Sequence, residues 1–275
     1  MMHVRIYELG EGVPEVAVIG AIHGDEPCGK DAVERLVEAD IAVERPVKLI
    51  IANEQAIKAE QRYVDNDLNR AFPGSPESDS HENRLAHDLL REVRGKTVLS
   101  LHSTQSSAEP FALVEEVDAV SRAVCPHLPI KKLVETKRFS DGRLIEQAHT
   151  IEVECGLQQS DSARKNAYWI TRAFLSATGV LSAPIEGDVE PPLSLRQRDE
   201  GEVIVFQMLN QIPKKPANSY EVFVDNFQQV NTGDLFARAD EDRYTADQSF
   251  FPILLSAHGY EDVFGYAADR VGTLR

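Results

Sequence analysis

Apolar residues fall in short blocks along this chain, and two spacings alternate. Residues 16–22, 47–52 and 97–101 are mostly apolar and rich in β-branched side chains, the pattern of strands buried on both faces. Residues 150–155 read the same way except for Glu152 and Glu154. Shorter runs at 4–7, 111–114 and 130–134 predict further strands. Between them the apolar positions recur three and four apart. Segment 29–39 puts Ala32, Val33, Leu36 and Val37 on one helical face, and 79–93 carries a Leu85, Leu89, Leu90 stripe. Asp79 followed by Glu82 resembles a capping box at the start of that second helix. Residues 118–125 and 162–177 predict two more helices, the latter ended by Gly179, while 53–61 reads as helical or irregular. Strands alternating with helices predict an α/β fold whose mainly parallel sheet has helices on both faces.

The pattern changes near 183–192, where Pro184, Gly187, Pro191 and Pro192 read as a linker. Beyond it, 203–208, 220–224, 235–237 and 250–255 are short strands with little helix between them. This predicts two domains, an α/β domain over 1–187 and a small β-rich domain over 188–275. Residues 62–74 form a polar stretch ending in Pro73-Gly74, an ordered loop long enough to imply function.

Composition narrows the partners. The chain has 275 residues, 42% of them apolar, enough for a sizeable core. No apolar run approaches the ~20 residues of a membrane span. With no basic-then-apolar N-terminal segment and only Cys28, Cys125 and Cys155, the expected setting is cytoplasmic and free of disulfides. Lys and Arg total 29 against 45 Asp and Glu, a net charge of −16. Neither nucleic acid nor an anionic membrane surface is an expected partner of such a chain. The acid is spread along the chain. It suits an ordinary acidic soluble protein and equally one adapted to high salt, and both readings stay open.

The candidate chemistry sits at predicted strand ends, where parallel sheets place their ligands. After the first buried run come His23 and Glu26, three residues apart with Gly24 between them. His102 follows the 97–101 run. Two imidazoles and a carboxylate make three protein ligands with a fourth position open, the composition of a catalytic rather than a structural zinc site. Glu154 lies at the end of another predicted strand, on the same face as Glu152, and is a candidate general base. The stretch Arg62-Tyr63-Val64-Asp65-Asn66-Asp67-Leu68-Asn69-Arg70 reads either as a polar loop with internal ion pairs or as an anion clamp.

Four ordered motifs, Gly20-Ala21-Ile22-His23-Gly24-Asp25-Glu26, Asp67-Leu68-Asn69-Arg70, Leu101-His102-Ser103-Thr104 and Glu154-Cys155-Gly156, resemble the aspartoacylase/succinylglutamate desuccinylase family of zinc carboxypeptidase-like proteins. The resemblance extends to Phe251-Pro252 and Tyr260-Glu261. It implies a carboxypeptidase-like α/β domain followed by a small β-rich domain that contributes to the active site. It implies one zinc ion per chain on His23, Glu26 and His102, with Glu154 activating the attacking water and Arg62 polarising the scissile carbonyl. Asn69 and Arg70 would hold the substrate's α-carboxylate, Tyr260 would join the site, and Arg143 lies near an arginine that reads the substrate's side chain. The implied reaction is hydrolysis of a small anionic N-acyl amino acid. The family usually has an aspartate two residues before the third ligand; here that position is Ser100.

Two other readings share these residues. A metallocarboxypeptidase acting on short peptides needs the same centre, and a metal- or ligand-binding protein without catalysis needs only part of it. Acyl group, amino acid and assembly are not specified by the sequence, and a homo-oligomer is compatible with it.

Overall fold

Strand β2 (Val16–Gly20) is buried at every position because both faces of the sheet are covered there. Val16 and Val18 pack with helices α1 (Pro27–Glu38) and α5 (Asp161–Ala177), whereas Ala17 and Ile19 pack with α3 (His81–Val93). The uninterrupted apolar run is thus the signature of a two-sided environment. A computed structural model describes residues 4–147, 149–182 and 202–275.

The main sheet has ten strands. β1 (Arg5–Leu9) lies at one edge, followed by β3 (Val47–Ile51), β2, β4 (Thr97–Thr104) and β7 (Thr150–Leu157), then β5 (Phe111–Val114) and β6 (Lys132–Glu135). β8 (Val203–Pro213), β13 (Val263–Leu274) and β12 (Phe251–Ile253) complete it. β3, β2, β4 and β7 are parallel, as the alternation of strands and helices predicts. β1 and β5 run antiparallel to their neighbours β3 and β7, so the sheet is mixed. The links at 10–15 and 105–110 explain this, being far shorter than the roughly dozen residues a parallel crossover requires.

The expected boundary at 187/188 and the proline-rich link at 183–192 lie outside the described residues. Past them the chain is β-rich, and β8, β12 and β13 extend the main sheet. A separate antiparallel sheet of β9 (Tyr220–Val222), β10 (Leu235–Ala239) and β11 (Asp242–Thr245) packs its own apolar cluster around Phe236, Phe250 and Phe264. β13 and β11 escape prediction for different reasons. β13 has register shifts at three points along β8, which break its side-chain alternation. β11 reads Asp-Arg-Tyr-Thr and has no buried position.

Helix α3 corrects the expected cap. Ser80, not Asp79, is the N-cap, and its side chain accepts from the Asn83 N–H. Glu82 turns the other way and is fully buried. Its carboxylate accepts from the backbone N–H groups of Val64, Asp65 and Asn66 at 2.7, 2.9 and 3.2 Å. One carboxylate therefore shapes the polar loop from inside, and the loop ends in a single helical turn, Leu68–Arg70. The short helix α2 (Glu54–Ala59) is capped by the Asn53 side chain, which also donates to Glu82.

Glycines set the packing beneath the site. A Cβ on Gly20 would lie 2.3 Å from the backbone carbon of Gly29, so β2 and α1 touch backbone to backbone. This close approach brings the start of α1 directly over the end of β2.

Replacing Glu82 with Ala is expected to cost about 2 kcal/mol or more of stability, since four charge-assisted hydrogen bonds and a buried side chain are lost together. The loop should loosen most. Chemical denaturation should register the first effect, and faster proteolytic nicking within 62–74 the second.

Candidate metal and catalytic centre

β2 ends at Gly20, and Ala21 takes a left-handed φ of 56° that turns the chain toward α1. His23 follows on this turn and Glu26 at the N-cap of α1, with Pro27 opening the helix. The Glu26 side chain does not cap the helix. It points instead to the two imidazoles. Its Oε1 accepts from His23 Nδ1 at 2.8 Å, and its Oε2 from His102 Nδ1 at 3.1 Å. The Ser103 N–H and Arg62 Nη1 also donate to it, at 3.2 and 2.9 Å. His102 lies within β4, which runs three residues beyond the expected end at Leu101.

One potential ligand atom from each of His23, Glu26 and His102 falls within 4.8 Å of the others, and all three side chains are buried. Among the described residues this is the one such group of three. The electrostatics favour positive charge at its centre. Burial works against a charged His23, yet Glu26 and Asp67 raise its pKa to about 9. Burial likewise opposes ionisation of Glu26, but His23 and His102 hold it well below the usual carboxylate range. A donor set of two imidazoles and one carboxylate, converging on a point that already attracts protons, fits a zinc ion.

The outer nitrogen of each imidazole has its own partner. His23 Nε2 donates to Asp67 Oδ1 at 2.9 Å, and His102 Nε2 lies 3.0 Å from Ser100 Oγ. Partners of this kind fix ring orientation and tautomer in metal sites. The sequence alone assigns no individual role to Asp67. Ser100 supplies a hydroxyl where the resemblance implies a carboxylate.

Glu154 stands beside His102 in the β4–β7 register, just as Glu152 stands beside Ser100. All four side chains share the α3 face of the sheet, beyond the part that α3 covers. β7 lies between β4 and β5, so its two glutamates are buried inside the sheet rather than solvated at an edge. Glu154 Oε2 is buried with no hydrogen-bond partner. Burial pushes the Glu154 carboxyl up to about 7; His102 opposes this, and Glu26 and Glu152 add to it.

These groups open onto one cleft. His23, Glu26, His102, Glu154 and Arg62 line it, as do Asn69, Arg70, Arg143 and Tyr260. All nine residues singled out in the sequence therefore meet in one place. Asn69 is already engaged: its Nδ2 donates to Glu152 at 3.1 Å and its Oδ1 accepts from the Leu144 N–H at 2.9 Å. It clasps the segment after Arg143 to β7, leaving one N–H for a ligand. Tyr260 arrives on the link between β12 and β13, where burial raises its pKa.

Residues 12–166 match the model of the succinylglutamate desuccinylase/aspartoacylase catalytic domain. The chain belongs to this family. An N-acyl-aromatic-L-amino acid amidohydrolase (carboxylate-forming) from Xenopus tropicalis is 23% identical over 290 residues, covering 90% of this chain and 89% of that protein. Murine aminoacylase 3 superposes with a TM-score of 0.71 at 18% identity, covering 97% of this chain and 98% of that one. The product-bound structure of the ectoine utilization protein EutE (DoeB) from Ruegeria pomeroyi gives 0.73 at 20% identity, covering 98% and 88%. Family membership accounts for the large mixed sheet and the β-rich C-terminal region, and the cleft lies where the two meet. Among the described residues, no helix is long and apolar enough to cross a membrane.

Zinc titrated into chelator-treated protein is expected to raise the melting temperature through binding to the folded state, by about 2.7 kcal/mol of stability at a hundredfold excess over Kd. His102→Ala should abolish the shift. Ser100→Ala should weaken zinc binding by about tenfold, measured by competition with a chelator.

Proposed function

We propose that the protein is a zinc-dependent amidohydrolase that cleaves the acyl–nitrogen bond of N-acyl amino acids. The observation that carries this reading is the cross-strand pair of His102 and Glu154. It sets a metal-ligand imidazole beside an unpartnered, buried carboxylate at the head of a cleft rich in guanidinium groups. The family supports the same reading, since relatives named for amidohydrolase, aspartoacylase and desuccinylase activities belong to it.

Zinc held by His23, Glu26 and His102 would supply Lewis acidity to the reacting carbonyl and lower the pKa of water. The remaining steps belong to the chain. Glu154 Oε2 takes a proton from the attacking water as oxygen bonds to the amide carbon. Arg62 donates to the carbonyl oxygen as negative charge grows there. Glu154 then returns the proton to the nitrogen as the C–N bond breaks, leaving a carboxylate and a free amino acid. Arg70 takes the substrate's α-carboxylate and fixes the amide relative to Glu154, so that less orientational freedom is lost in the transition state.

Assays that detect the released amino group from a panel of N-acyl amino acids and short peptides test this reading. Hydrolysis of the peptides but not the acyl amino acids would shift it to a carboxypeptidase. Glu154→Gln should keep its zinc and lose about 10²–10⁴-fold in kcat.

The acid side of the pH profile has a definite sign. The reaction needs Glu154 ionised, and its pKa lies above the usual value, at about 7. kcat/KM should therefore fall as the pH drops through about 7, with bound zinc moving that limb downward. Activity of the zinc-loaded enzyme that stays constant well below the ordinary carboxylate range would remove Glu154 from the role.

A further inference from the structure

The cleft contains three guanidinium groups, and their partners distinguish them. Arg62 lies against two carboxylates, Glu26 at 2.9 Å and Asp67 at 3.3 Å. Arg143 lies 3.5 Å from Glu152, and both are almost completely buried, at 5% and 1% exposure. Among the described residues, no carboxylate lies within the 4.0 Å ion-pair distance of Arg70. Its Nη1 donates to the Asn69 carbonyl at 2.6 Å.

Glu152 is fixed in this role. It stands on β7 between two neighbouring strands, opposite Ser100, and accepts from Asn69 Nδ2 at 3.1 Å. Arg143 is not used up by the pair. Its Nε and Nη1 are buried without a hydrogen-bond partner, and the residue lines the cleft. Its donors are open while its charge is offset. A group facing Arg143 must therefore accept a hydrogen bond. A carboxylate there would place a second negative charge close to Glu152 in a medium of low dielectric, where like charges repel strongly. Arg70 differs, because a carboxylate bound to it meets an unpaired cation. Buried charges must be paired to be tolerated, so this arrangement has room for one substrate carboxylate rather than two.

We infer that Glu152, by neutralising Arg143, restricts the cleft to N-acyl amino acids with a single carboxylate, held by Arg70, and directs an uncharged hydrogen-bond acceptor to Arg143. The inference rests on the deacylase reading and specifies its substrate class. Glu152 does not touch the reacting atoms; it determines specificity through Arg143.

Matched pairs of nearly equal shape test it. One pair is N-acetyl-L-glutamine against N-acetyl-L-glutamate, which varies the side chain. The other is N-(3-carbamoylpropanoyl)-L-alanine against N-succinyl-L-alanine, which varies the acyl arm. The zinc-loaded wild type should favour the monocarboxylate of each pair by about tenfold or more in kcat/KM, mostly through KM. Glu152→Gln keeps an acceptor for Asn69 but removes the charge, and should erase or invert the preference in at least one pair. Glu152→Asp keeps the charge and should retain it.

A wild type that prefers the dicarboxylates overturns the inference while leaving the deacylase reading intact. So does a folded Glu152→Gln with an unchanged ratio. Should Glu152→Gln not fold, the wild-type ratio decides alone. If no N-acyl compound is hydrolysed, the deacylase reading is what fails. Calorimetric binding of glutamine against glutamate then tests the charge rule independently, with tighter glutamate binding overturning it.

Discussion

The centre depends on one register, that of β4 against β7. Parallel pairing places Ser100 beside Glu152 and His102 beside Glu154, with all four side chains on one face. A slip of one residue would send both glutamates into the apolar layer under α1 and α5 and put Ile151 and Val153 in the cleft. The odd-numbered residues Leu99, Leu101, Ile151, Val153 and Cys155 prevent this, since they are the ones buried against those helices. Hydrophobic burial on one side of the sheet thus fixes polar geometry on the other.

Placing so many ionisable groups out of water is costly unless each is paired, and the pairing is nearly complete. Glu26 is shared by two imidazoles, an arginine and a backbone N–H. Asp67 takes His23 and Arg62, and Glu152 takes Asn69 and Arg143. Glu154 Oε2 and two nitrogens of Arg143 are buried without partners, and among the described residues no carboxylate lies within 4.0 Å of Arg70. These groups face the cleft, where a substrate would complete the pairing.

Much of this was legible in the sequence because it followed from periodicity. Continuous apolar runs mark β2, β3 and β4, and the histidines and glutamates at their ends stand out against them. What escaped depended on contacts distant in sequence. Glu82 looks like half of a capping box but serves the loop at Val64–Asn66, and no local pattern distinguishes the two uses. Asp67 and Ser100 become partners of the imidazoles only once β2, β4 and the polar loop are brought together. Asn69 reads as an anion-binding residue, yet most of its hydrogen-bonding capacity goes to Glu152 and Leu144. β13 could not be seen because its bulges remove the alternation by which strands are recognised.

The link between β12 and β13 carries Tyr260 into the cleft from the far end of the sheet. His102 and Glu154 sit instead within β4 and β7, whose register is held by the core, and His23 and Glu26 follow directly after the buried strand β2. Surface links tolerate changes of length and composition that buried strands do not. The fold therefore separates what must stay constant from what is free to vary. Descendants of one ancestor could exchange the wall that meets the substrate while inheriting the reaction unchanged, and a family with several substrates and one chemistry is the natural outcome of such an arrangement.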